Sequence, residues 1–112
     1  MTEKEYLERA EALLRTVEQQ CDKLSDADQL DCDVRRVGNT LTLEFSSGSQ
    51  VIISLQKPLM EVWLASRSGG YHFRNHEESW VNTREDGPDF YSQLGKDVAS
   101  LCGRQIDFRP MD

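Results

Sequence analysis

The chain has 112 residues, 38% of them apolar and 29% charged, with a net charge of −7. That length suits one domain with a core of its own, expected over residues 1–112, and that composition excludes an intrinsically disordered chain. The acidic balance excludes a nucleic-acid-binding domain, which needs clustered Lys and Arg, and no apolar run approaches the roughly 20 residues that span a bilayer.

Met1-Thr2-Glu3-Lys4-Glu5 offers neither a basic nor an apolar leader region, so no secretory signal is expected. Residues 3–24 read as an amphipathic helix, because Tyr6, Ala10, Leu13, Leu14, Val17, Cys21 and Leu24 recur at helical spacing on one face. Thr2 followed by Glu5 forms a capping box, and Ser25-Asp26-Ala27-Asp28-Gln29 is a polar breaker. Strand patterns follow. Leu30, Cys32 and Val34 alternate with Asp31, Asp33 and Arg35, then Leu41, Leu43 and Phe45 with Thr42 and Glu44. Ser46-Ser47-Gly48-Ser49 is a hairpin signal leading into Val51 to Leu55. Beyond Pro58, Met60, Val62 and Leu64 alternate with Glu61, Trp63 and Ala65. Gly69-Gly70 is expected to break the chain before two short strands, 71–73 and 79–82. Asp89 is placed to cap a second helix with the stripe Phe90, Leu94, Val98, Leu101 and Cys102. Gly95 weakens this helix by about 1 kcal/mol relative to Ala. The order predicts an α+β two-layer sandwich, with both terminal helices packed on one face of an antiparallel sheet.

The charge is concentrated. Residues 1–33 hold ten acids and four bases, a balance of −6, against −1 for the remainder. On a helical wheel Glu11, Glu18 and Asp22 fall within about 40° of one another on the flank of the apolar face. Asp26 and Asp28 follow in the breaker, and Asp31 and Asp33 share one face of the first strand. Helix flank, loop and strand edge are thus expected to form an acidic ridge, diluted by Lys4, Arg15 and Lys23. Most charge runs are only solvated surface. If the ridge has a function, its carboxylates suit hard or borderline cations such as Ca²⁺, Mg²⁺, Mn²⁺ or Fe²⁺. It is not an EF-hand: a frame starting at Asp26 puts Asp31 where Gly is required and Val37 where Glu is required.

Trp63 is expected on the sheet face opposite Val62 and Leu64, either as an exposed interface anchor or covered by long neighbours. Trp80 is assigned to the core. His72 and His76 read as surface histidines without a role. Cys21, Cys32 and Cys102 lack zinc-site spacing and read as reduced, mostly buried thiols. No nucleophile–base pair and no phosphate loop is visible, so no enzyme activity is expected.

The acidic helix, the Asp-rich strand, Gln56-Lys57-Pro58-Leu59, Val62-Trp63-Leu64-Ala65, Gly69-Gly70-Tyr71-His72-Phe73 and Trp80 together resemble the frataxin family, of the bacterial CyaY type, over essentially the whole chain. The resemblance implies weak iron binding, as Fe²⁺ or Fe³⁺, by surface carboxylates. It also implies a cytoplasmic bacterial protein that binds the cysteine desulfurase of iron–sulfur cluster assembly, alongside the scaffold protein, and modulates its rate. Such a protein is a monomer, with oligomers under iron load. Carried over residue by residue, the metal ridge comprises Glu3, Glu11, Glu18, Asp22, Asp26, Asp28, Asp31 and Asp33, and the partner contacts comprise Glu18, Asp22, Gln56 and Trp63. Gln19 and Lys23 stand where relatives often carry acids, Leu7 where a ridge histidine can occur, and Ser54 where Asn is common. The leading reading is an iron-binding regulator, and iron donation is a further role the family offers. The alternatives are an iron oxidase and an acidic interaction module with no metal role.

Overall fold

Thr2 begins the first helix as the capping box predicts. In this computed structural model, which describes residues 1–110, its hydroxyl accepts from the Glu5 N–H at 3.1 Å and the Glu5 carboxylate accepts from the Thr2 N–H at 3.2 Å. The bonds to Thr2, backbone first and hydroxyl second, hold the Glu5 carboxyl below its ordinary range. Helix α1 (Glu3–Asp26) runs two residues past the expected end. Ser25 and Asp26 stay helical because the chain turns only at Ala27, whose N–H reaches the Lys23 carbonyl at 3.1 Å. Asp28 then takes a left-handed backbone, φ 57°, which a short polar side chain tolerates.

Six strands follow: β1 (Cys32–Val37), β2 (Thr40–Phe45), β3 (Gln50–Gln56), β4 (Glu61–Ser66), β5 (Gly69–His76) and β6 (Ser79–Asn82). Each pairs antiparallel with the next, in the order β1-β2-β3-β4-β5-β6. A single 3-10 turn, Lys57–Leu59, carries the proline between β3 and β4. Gly69 and Gly70 do not break the chain. They pair with Ser66 and Ala65 as the first rungs of β5, and the turn is Arg67-Ser68. The Ser66 hydroxyl holds it by accepting from the Ser68 N–H at 3.2 Å.

Alternation then sorts the side chains. Leu41, Leu43, Val51, Ile53, Val62, Leu64 and Phe73 point to one face and are fully buried there. Burying each such side chain contributes about 1.5–3 kcal/mol. α1 covers this face with Tyr6, Ala10, Leu14, Val17 and Cys21, and helix α2 (Phe90–Cys102) covers it with Phe90, Leu94 and Val98. Both helices therefore lie on one side, as the sequence predicts. Trp80 is buried, its ring 6.2 Å from Tyr6 at a steep angle. The Tyr6 hydroxyl donates to the Glu61 carbonyl at 2.6 Å, tying α1 to β4.

α2 is fixed at both ends. Asp89 Oδ1 accepts from the Ser92 N–H at 2.9 Å, and Gly103 closes the helix with φ 74°. Gly95 has a reason that its helix propensity hides. A Cβ at this position would lie 2.9 Å from the Ile106 carbonyl oxygen. Glycine lets the tail lie against α2, where Ile106 and Phe108 are buried. Gln20 of α1 grips the tail from the other side: its Oε1 accepts from the Arg109 N–H at 3.0 Å and its Nε2 donates to the Arg109 carbonyl. On the sheet side of α2, Asp97 is 4% exposed and accepts from Ser66 Oγ at 3.0 Å, Ser68 Oγ at 2.9 Å and Gln93 Nε2 at 2.9 Å. This buried carboxylate is satisfied by neutral donors alone, as a buried polar group requires.

Candidate metal and partner-docking surface

The eight ridge acids separate into two sets. Glu11 and Glu18 lie two turns apart on the flank of α1 that faces β1. Between them reaches Arg36, at 2.7 Å from Glu11 Oε2 and 3.6 Å from Glu18 Oε1. Glu3 pairs with Lys57 Nζ at 3.2 Å. Among the described residues the cations that pair with the ridge acids are Arg36 and Lys57, whereas Lys4, Arg15 and Lys23 form no ion pair with them. A signal for Arg36 was present. It continues the inward alternation of Leu30, Cys32 and Val34, so an arginine there has to meet carboxylates on the helix above it.

The second set is Asp22, Asp26, Asp28, Asp31 and Asp33. All five are exposed, and among the described residues none has an ion-pair partner within 4.0 Å. They occupy the end of α1, the turn and the start of β1. Asp31 precedes β1 instead of sharing its face, because the strand begins at Cys32. Arg104 approaches this turn through the Asp28 backbone carbonyl, 3.5 Å away, and leaves the carboxylate unpaired. Among the described residues no three His, Cys, Asp or Glu side chains converge as a metal-binding group. The chemistry on offer is an open row of hard oxygen donors, each able to supply one or two ligands to a cation that keeps most of its water.

The second surface is the open face of the sheet. Trp63 lies there, as its alternation predicts, but it is half-buried. Its ring stacks on His72 with centroids 4.2 Å apart and planes 8° from parallel. Its Nε1 donates to Glu61 Oε1 at 2.9 Å. Arg74 Nε stands 3.6 Å from the other oxygen of Glu61, whose side chain is 13% exposed. His72 is thus not without a role, because it forms the floor beneath Trp63. The Arg67-Ser68 turn sets this register, placing Trp63 opposite His72 and Glu61 opposite Arg74. Across β3, Ser54 and Gln56 stand opposite Trp63 and Glu61, and Gln56 Nε2 donates to Ser54 Oγ at 3.2 Å. Three strand spacings separate β4 from β1, about 14 Å, so the tryptophan surface and the aspartate turn are distinct patches.

The thiols depart from expectation. Cys21 is buried, but Cys32 and Cys102 are only half-buried, and all three are free. The neighbouring Cys32 thiol first, and burial second, hold the Cys21 thiol far above its ordinary range, whereas the Cys21 thiol lowers Cys32. Cys32 and Cys102 also line a cleft of about 580 Å³ together with Asp28, Asp31, Ser46 and Arg104. No described helix is long and apolar enough to cross a membrane.

Comparison with known proteins agrees with this architecture. A family model described as a frataxin-like domain matches residues 1–104. The iron–sulfur cluster assembly protein CyaY of Variovorax paradoxus is 46% identical over 108 residues, which cover 96% of this chain and 97% of that one. CyaY of Paracidovorax citrulli is 43% identical over the same shares. Among solved structures, frataxin from Psychromonas ingrahamii superposes with a TM-score of 0.87 at 28% identity, over 97% of this chain and 99% of that one. A trimeric frataxin from the yeast Saccharomyces cerevisiae, in a ferrous complex, superposes with a TM-score of 0.73 at 26% identity, over 86% of this chain and 87% of that one.

Proposed function

This chain belongs to the frataxin family, and from that footing we propose that it is a non-enzymatic, iron-responsive regulator of iron–sulfur cluster assembly. It docks on the cysteine desulfurase by charge complementarity. The observation that carries this reading is the run of five exposed aspartates, Asp22 to Asp33, without ion-pair partners among the described residues. A field of one sign attracts a basic partner surface and divalent iron alike, and it sets encounter rate and partner choice more than final affinity. Iron on one or two carboxylates at a time, its shell completed by water, neutralises part of that field and so changes docking. Glu3, Glu11 and Glu18 contribute less, because Lys57 and Arg36 already compensate them. Trp63 and Gln56, on the other patch, supply a second contact that does not depend on iron. The trimer of the yeast relative makes an iron-loaded oligomer the state to look for by sedimentation.

The test is the initial rate of cluster formation on the scaffold protein by its desulfurase, with and without this chain, at low and high Fe²⁺. A dose-dependent change in rate that varies with iron is expected, and no change at any iron level would overturn the proposal. Docking should weaken as salt rises, because exposed charges are screened beyond about 10 Å at 0.1 M. Reversing Asp22 and Asp31 to Lys should weaken both docking and Fe²⁺ binding. Trp63→Ala should leave Fe²⁺ binding intact, and its loss there would contradict the separation of the two patches. Glu18 is a poor site for reversal, because a lysine there would face Arg36 and disturb the fold itself.

A second reading is favoured by the lack of a convergent three-ligand group among the described residues. In that reading the turn is an acidic docking module and iron acts only as a screening ion. Titration separates the two. Fe²⁺ that shifts the amide signals of the turn selectively supports the metal role, whereas an effect equal to that of Mg²⁺ supports the module.

A further inference from the structure

Two thiols face each other across the boundary between α1 and β1, and their placement follows from the ion pairs beside them. Arg36 meets Glu11 and Glu18, which aligns the middle of α1 with the far end of β1. From there to Cys21 the helix advances about 10 Å, and from Arg36 back to Cys32 the strand covers about 13 Å, so the two cysteines come level. Both point into the same layer. Cys21 is the last fully buried residue of the α1 stripe, and Cys32 packs against the core from the strand below it. Their exposures differ. Cys21 is sealed, whereas Cys32 is half-buried and lines the 580 Å³ cleft that opens to solvent.

We propose that Cys21 and Cys32 form a reversible oxidation site for a small peroxide, closing as a disulfide that staples α1 to β1. Hydrogen peroxide enters by the cleft and meets the Cys32 sulfur first. The sulfur attacks one peroxide oxygen, the O–O bond breaks, one water leaves and a sulfenic acid remains on Cys32. The Cys21 sulfur, level with it in the same layer, then attacks Cys32. The S–O bond breaks, a second water leaves and the S–S bond forms. Two thiols have lost two electrons, the peroxide has gained them, and the two thiol protons end in the two waters. A resolving thiol in the same layer diverts Cys32 from overoxidation. The new bond closes a loop that contains Asp22, Asp26, Asp28 and Asp31, so oxidation restrains the aspartate turn.

The test uses the whole folded chain, titrated with hydrogen peroxide and mapped by mass spectrometry without reduction. Two of the three thiols should disappear together, two hydrogens per chain should be lost, and one cross-linked peptide pair should carry Cys21 and Cys32. Dithiothreitol should restore all three thiols. Cys102→Ser should behave as the native chain does, and Cys32→Ser should form no internal bridge. Mapping on the native chain decides the matter even if a buried Cys21 variant fails to fold. A bridge involving Cys102, or a sulfinic acid on Cys32 with Cys21 still a thiol, would overturn the proposal. Hydrogen exchange gives the second readout. Amides of residues 22–31 should exchange more slowly after oxidation, and an unchanged rate would overturn the claim that the staple restrains the turn.

Discussion

Tyr6 shows how one residue links packing to pH. Burial pushes its hydroxyl pKa from an ordinary value near 10 up to about 12, against the pull of the Gln56 backbone N–H and with a smaller push from the Glu61 carboxylate. A pKa raised on folding means that the folded state favours the protonated hydroxyl. The associated stability is therefore fully present below about pH 10 and lost as pH rises through about 12. Denaturant melts between neutral pH and pH 12 should show this loss. Tyr6→Phe should flatten it while costing about 1 kcal/mol at neutral pH for the bond to the Glu61 carbonyl. Gly95 makes the opposite case. Helix propensity alone predicts that Gly95→Ala stabilises by about 1 kcal/mol. The Ile106 carbonyl 2.9 Å from the new Cβ reverses the sign, because backbone must move, and a net loss of about 1–2 kcal/mol is expected in urea melts. The apolar stripes of Tyr6, Leu14 and Phe90 were legible in the sequence because they repeat. The purpose of Gly95 was not, because it depends on a segment that docks from outside the helix.

Among the elements, the β4–β5 hairpin and α2 are coupled through Asp97. Asp97→Ala strips acceptors from Ser66, Ser68 and Gln93 at once, all close to the turn that sets the register of Trp63 on His72. A cost of about 2–3 kcal/mol follows from leaving several partly buried donors unsatisfied. Tryptophan fluorescence should change along with the melt. If stability fell while the Trp63 environment stayed the same, the hairpin would be held by something else. The strands themselves were readable from alternation. The β4–β5 turn was misplaced by two residues because Gly69-Gly70 is the stronger turn signal, and the serine hydroxyl that stabilises Arg67-Ser68 has no local signature. With the turn misplaced, the pairing of Trp63 with His72 and the clamp on Glu61 were out of reach. The ridge was legible as composition but not as geometry. Wheel angles group Glu11 and Glu18 with Asp22, whereas Arg36 withdraws the two glutamates and leaves the aspartates.

At the scale of the whole molecule, a charge of −7 with its free aspartates in one turn should make stability depend on ions. Unit charges about 7 Å apart repel by roughly 0.6 kcal/mol even at the dielectric constant of water. Melting temperature should therefore rise with NaCl, and at matched ionic strength rise further with MgCl₂. A flat response would mean that the aspartates are too far apart to repel. The same architecture bears on how the chain is made. Neighbouring strands pair in order, so the sheet can assemble hairpin by hairpin as the polypeptide emerges from the ribosome. α1 is synthesised before the sheet, yet Gln20 must wait for Arg109, 89 residues later, before its side chain finds a partner. Until residues 106–109 have been made, the half-formed molecule keeps an uncovered strip of helix beside the gap that Ile106 and Phe108 will fill. That interval is when chaperones and proteases have their best hold on it, and a ribosome stalled before Ile106 would hold a protein with its closing seam still open.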